Sequence, residues 1–205
     1  MGQSQQRSSS IPMSEEKPHE MSHDLHHNLQ VILQENQRLA EQLDPAAAAI
    51  IPLIQHANRV FVVGAGRTGL ALKAAAMRLM HLGLTVFVVG ETTTPAIAAG
   101  DLLLAGSGSG TTSTIVKAAE KAQAVGAQVV AISTTRESPL AALATQVVVL
   151  PAAQKQDHGG TISQQYAGSL FEQAVLLLTD AIFQTLWALD GTPAQELWKR
   201  HANLE

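Results

Sequence analysis

The sequence predicts an α/β fold, a three-layer αβα sandwich on a five-stranded parallel sheet with strand order 2-1-3-4-5. Three observations carry that expectation. From Val60 onward, short uncharged runs of Val, Leu and Ile alternate with stretches of helical period, as buried parallel strands and their crossover helices do. The connections between them are short. Two of the runs feed into glycine-rich turns that open the next helix, at the strand ends where open parallel sheets bind ligands.

The composition agrees: 46% of residues are hydrophobic but only 3% aromatic, so the core must pack through Ala, Leu and Val. A chain of 205 residues can bury one sizeable core. The formal charge of −4, with no Lys/Arg cluster, argues against a nucleic-acid partner. Cysteine is absent, which excludes disulfides, thiol catalysis and Cys-ligated metals. The polar N-terminus offers no signal-peptide core. The most apolar stretch, Ala174 to Leu189, is interrupted by Asp180 and Gln184, and it reads as a buried helix rather than a membrane span. A soluble, cytoplasmic protein is expected.

Residues 1–21 are polar and carry two prolines, so a disordered tail is expected there, with a single domain and its N-terminal helical extension over 22–205. A helix from Ser22 to Leu43 is expected from Leu25, Leu29, Ile32, Leu39 and Leu43, a heptad-like seam with Asn36 on it. Three heptads need something to pack on, and a second subunit is one answer. Asp44-Pro45 reads as an N-cap and Pro at the first helical position, opening a helix to Ala57 that Pro52 should kink. Strands are then expected at Val60–Val63, Thr85–Val89, Asp101–Ala105, Gln128–Ser133 and Val147–Leu150. Helices fall at Thr68–Leu82, Thr112–Val125, Pro139–Ala144 and Ser169–Leu189, with a short helical turn at Ala96–Ala99 and a loop from Gln154 to Gln165.

The first glycine turn, Gly64-Ala65-Gly66-Arg67-Thr68-Gly69, has the G-x-G-x-x-G form of a dinucleotide loop, and Glu91 comes at about the distance of a ribose-binding acid. The second turn weighs against that reading. Leu102-Leu103-Leu104-Ala105 runs into Gly106-Ser107-Gly108-Ser109-Gly110-Thr111-Thr112-Ser113, and a helix comes next. Glycines allow close approach of backbone to an anion, while hydroxyls and free helix N-terminal amides supply donors. No Lys comes after them, so this is no nucleotide-triphosphate loop. Ser107, Ser109 and Thr112, helped by Thr68, form a hydroxyl nest suited to the phosphate of a small molecule. A plain Ser/Gly turn is the bland alternative.

These motifs, together with Ala76-Met77-Arg78-Leu79-Met80-His81-Leu82-Gly83, Val89-Gly90-Glu91-Thr92-Thr93-Thr94-Pro95 and Gly168-Ser169-Leu170-Phe171-Glu172-Gln173, resemble the SIS (sugar isomerase) domain family. Within it they resemble the 6-phospho-3-hexuloisomerases, over roughly residues 25–190. The resemblance implies a flavodoxin-like sandwich and interconversion of D-arabino-hex-3-ulose 6-phosphate with fructose 6-phosphate in formaldehyde fixation. It implies no metal, no cofactor and a homotetramer. Other sugar-phosphate isomerases of the family, acting on arabinose 5-phosphate or sedoheptulose 7-phosphate, and a phosphosugar-sensing regulator domain are the rivals. Two positions depart from the family pattern: Thr68 replaces its usual Ser, and Thr111 its usual Glu.

Moving a carbonyl between C3 and C2 needs a base over the carbon and donors near the oxygens where charge develops. The resemblance assigns Glu172 as base, although Ser169-x-x-Glu172 is equally a capping box. It assigns His81 as acid or enediolate stabiliser, with a helix C-terminal histidine as the alternative. In an oligomer His81 is free to serve a neighbour's site. Gly66, Arg67, Thr68, Ser107, Gly108, Ser109, Gly110 and Thr112 are the expected substrate and phosphate contacts. His23, His26 and His27 have metal-like spacing, but no acidic ligand pattern joins them, so a solvated helix start is the expectation.

Overall fold

The computed structural model of the protein describes residues 18–154 and 162–204, with backbone only for 18–23. Five parallel strands, β1 (Val60–Gly64), β2 (Val86–Val88), β3 (Leu102–Gly106), β4 (Gln128–Ser133) and β5 (Gln146–Val149), stand in the order β2-β1-β3-β4-β5. The strand pairings are all parallel, with Val62 beside both Val88 and Leu104, and Leu104 beside Val130.

Strand side chains alternate between two cores, as the two-residue pleat requires. Val60, Val62, Leu102, Leu104, Val130, Ile132 and Val148 face one layer of helices. That layer holds α1 (Pro18–Glu41), α2 (Ile50–His56), α3 (Gly66–His81) and α6 (Ser169–Asp190). Phe61, Leu103, Ala105, Val129 and Ala131 face the other. There α4 (Ser113–Ala124) and α5 (Pro139–Leu143) cover the sheet. Residues such as Ala119 and Ala122, fully buried, let α4 sit close to the strands.

Several expectations are corrected in detail. The helical seam starts at Pro18, so residues 18–21 belong to α1, while 1–17 lie outside the described residues. The Asp44 cap forms, its carboxylate accepting from Ala46 N at 2.9 Å. The chain then makes a 3₁₀ turn over Pro45–Ala49 before entering α2, not one kinked helix. Pro52 is the third residue of α2, where its missing N–H has no intrahelical partner to lose. No helical turn forms at Ala96–Ala99. Instead, the buried Asp101 carboxylate accepts from Ala98 N and pairs with Arg59, whose guanidinium also donates to Ala96 O. Those bonds hold that backbone open. A short α7 (Ala194–Trp198) succeeds α6. Of the expected loop 154–165, residues 155–161 lie outside the described residues. Among the described residues, no helix is long and apolar enough to cross a membrane.

Candidate active site

Both glycine turns lie at the carboxyl ends of neighbouring strands. After β1 the chain enters α3 at Gly66, with φ +56. Gly69 then seats the helix on the strand: a Cβ there would stand 2.6 Å from the Gly64 carbonyl oxygen. After β3, the second turn is tied by its own hydroxyls. Ser107 Oγ meets Thr112 Oγ1 at 3.0 Å and accepts from Gly110 N at 3.1 Å, while Ser109 Oγ meets Thr111 Oγ1 at 2.9 Å. The Gly108 carbonyl accepts from Ser133 Oγ, Thr134 Oγ1 and Thr134 N, which moors the turn to the end of β4. Thr112 is the N-cap of α4 and makes no side-chain capping bond. The first amides of α4 have no intrahelical acceptors.

The two turns border one cavity of about 210 Å³, lined by Thr68, Ser107, Gly108, Ser109, Thr111 and Thr112. Ala153 and Gln154 close one side, and Gly168 with Phe171 from the start of α6 another. The volume lies below the roughly 300–1,000 Å³ of drug-sized ligand pockets, and a lining rich in hydroxyls suits a small polar metabolite. Glu91, the would-be ribose acid, is on the surface and pairs with Lys73 at 2.7 Å.

Glu172 is buried in the first turns of α6. The capping box does not form through Ser169. Gly168, in the left-handed region at φ 82, is the N-cap, and Ser169 is already helical. The Glu172 carboxylate instead reaches the first glycine turn, with Oε2 3.1 Å from Arg67 Nη1. Arg67 also donates to Ser169 Oγ at 3.4 Å. A cation at a helix N-terminus is disfavoured by the dipole, and the anionic partner offsets that.

His81 lies elsewhere. It ends the 16-residue α3, about 22 Å from the helix start at 1.5 Å per residue. Its ring is buried, stacks on His201 at 3.9 Å, and leaves Nδ1 with no hydrogen-bond partner among the described residues. Arg200 donates to its carbonyl. Burial first, then His201 and Arg78, push the imidazole below its ordinary value, so it is neutral at pH 7.

Comparison with known proteins decides what kind of fold this is. The SIS domain family model matches residues 53–177. The chain belongs to the SIS domain family. A curated relative from Mycobacterium gastri, named 3-hexulose-6-phosphate isomerase, is 57% identical over 89% of this chain and 92% of its own. A Bacillus subtilis protein of the same name is 40% identical over 74% of this chain and 83% of its own. A solved structure from Methanococcus jannaschii, whose authors infer a 3-hexulose-6-phosphate isomerase function, superposes with a TM-score of 0.76 at 28% identity. It covers 87% of this chain and 99% of that one.

Within this SIS domain, Thr68, Ser107, Gly108, Ser109 and Thr112 converge on one cavity. Gly110 is held by its bonds to Ser107, and Gly66 starts the helix beside the cavity. Arg67 and Glu172 pair with one another; neither lines the cavity, which Gly168 and Phe171 border from the start of α6. His81 is not brought to them. Gln154 and Ala153 were not anticipated as lining residues, because nothing in their local pattern marks them. Phe171 lies within the Gly168–Gln173 motif, and its ring packs beside Gly108. Among the described residues, no group of three or more His, Asp or Glu is placed to hold a metal ion.

Proposed function

We propose that this SIS-domain protein is a cytoplasmic sugar-phosphate isomerase interconverting D-arabino-hex-3-ulose 6-phosphate and D-fructose 6-phosphate. The observation that carries the reading is a hydroxyl nest at the start of α4 on one small crevice, whose wall includes Gly168 and Phe171, the residue before the buried Glu172. Relatives of this chain that carry that isomerase's name support the choice of substrate.

In the proposed mechanism, Ser107, Ser109, Thr112 and the α4 amides bind the phosphate, with Gly66, Gly108 and Gly110 allowing the backbone close and Thr68 adding a hydroxyl. Glu172 takes the proton from C2 of the hexulose phosphate. The electrons form a 2,3-enediolate, a proton returns to C3, and one hydroxyl proton passes from O2 to O3. No electrons leave the substrate, so the reaction needs no redox partner. Arg67 is the cation nearest the base, and its guanidinium is suited to the oxygens where charge develops. His81 acts in this scheme only from a neighbouring copy, since its own site lies at the far end of α3, and the His201 ring must move aside. The proposed assembly is a homo-oligomer, a tetramer.

The test is turnover of the hexulose phosphate by purified protein, with arabinose 5-phosphate and sedoheptulose 7-phosphate as competitors. Glu172→Gln keeps the shape and removes the base. It is expected to bind substrate with near wild-type KM while losing at least about 10³-fold in exchange of the C2 proton with solvent deuterium. No turnover by the wild type, or wild-type exchange by the variant, overturns the reading.

A further inference from the structure

The buried carboxylate of Glu35, on α1, takes no part in the proposed isomerisation and lies outside the matched family region. Only 8% of this residue is exposed. Its two oxygens accept from Ser163 Oγ at 2.6 Å, Gln164 N at 2.7 Å and Gln165 Nε2 at 2.9 Å. Gln165 Oε1 in turn accepts from Gln173 Nε2 at 2.8 Å, and Gln173 Oε1 accepts from Asn36 Nδ2 at 2.7 Å. The bonds close a circuit from α1 through the segment entering α6, onto α6 and back to α1.

Two features mark this circuit as more than packing. Burying a carboxylate is costly, and apolar contact, through Leu39 on α1 and Leu43 just past it, already attaches this end of α1 to the core. A charged pin with three hydrogen bonds adds direction, because every bond has a fixed angle. What it aims is the approach to Gly168 and the first turns of α6, where Gly168 and Phe171 line the cavity and Glu172 directly precedes Gln173. Burial by itself would raise the carboxyl's proton affinity. The bonds from Ser163, Gln164 and Gln165, with the charge of Arg38, outweigh it and hold Glu35 below the ordinary carboxylate value.

We infer that Glu35 is a positioning residue for the isomerisation, holding the entry to α6 so that Glu172 stands over the reacting carbon. The inference rests on the assignment of Glu172 as base. Among the described residues the phosphate nest, on β3, β4 and α4, has no hydrogen bond to this circuit, so the two halves of the site are expected to separate kinetically.

The experiment compares wild type, Glu172→Gln, Glu35→Gln and Gln165→Ala for kcat, KM, C2 deuterium exchange and melting temperature. Glu35→Gln is expected to fold and to lose about tenfold to a hundredfold in kcat and exchange, with KM within about twofold of wild type. Gln165→Ala, which cuts the relay but leaves the Ser163 and Gln164 bonds, is expected to show a smaller loss of the same kind. If Glu35→Gln does not fold, Gln165→Ala decides alone. Wild-type kcat in the folded variant, or a rise in KM that accounts for the whole loss, overturns the inference. Wild-type exchange in Glu172→Gln overturns the base assignment instead, and this inference with it.

Discussion

At the scale of single residues, the proposed mechanism divides the site into groups that bind and groups that react. Ser109 is on the binding side: it lines the cavity, and its hydroxyl is held by Thr111 at the mouth of α4. A phosphate bears its charge in ground and transition states alike, so contacts to it lower KM without raising kcat. Ser109→Ala is expected to raise KM about tenfold, the worth of one hydrogen bond to a charged group, with kcat little changed. Steady-state kinetics on the hexulose phosphate read this directly, and an unchanged KM removes Ser109 from the nest. Thr111 belongs here too. The Thr111 hydroxyl bonds to Ser109, so that position puts no anion beside the nest to repel a phosphate.

At the scale of elements, a close contact between β1 and the first turn of α3 stands beside the crevice. Gly69 meets the Gly64 carbonyl with no room for a methyl group. Gly69→Ala must push α3 outward or distort its first turn, at a cost of about 2 kcal/mol, typical of overpacking. A fall in the urea midpoint at constant m-value is the expected result, and an unchanged midpoint shows that the helix shifts freely. Much of this level was legible in the sequence. Leu102–Ala105 and Gln128–Ser133 carry no charge and meet their partners over nearly the expected spans, because burial on both faces leaves a strong local signature. The open backbone at Ala96–Ala99 was not legible, since Arg59 and Asp101, which hold it, act from outside its window. The same holds for the site. Each glycine turn announces itself locally, whereas the Arg67–Glu172 pair joins positions far apart in the chain and only the fold brings them within 3.1 Å. Likewise Ser169 looked like a cap, but Gly168 in the left-handed region starts α6 one residue sooner.

At the scale of the whole molecule, the first half of α1 is unfinished. Leu39 is buried against the core, but Leu25 is 73% exposed and Leu29 49%, and Leu70 and Met77 add exposed apolar surface on α3. Exposed apolar residues of this kind on α1 and α3 are the motivation for the proposed association, and closed symmetry is the usual solution. Light scattering at micromolar concentration is expected to give a mass of several chains, and Leu29→Lys to lower it. A monomeric wild type rules out the proposed assembly.

The distance between the two ends of α3 carries a genetic consequence. Arg67 sits at one end beside Glu172 and His81 at the other, so on the proposed assignment each copy lends its base to one reaction centre and its imidazole to another. Two inactive proteins, Glu172→Gln and His81→Asn, then have complementary defects. When they are unfolded together and allowed to reassemble, random assortment creates some centres that receive both intact groups. The mixed population should recover about a quarter of wild-type turnover, although neither parent has any, whereas a centre built wholly within one chain would stay silent in every mixture.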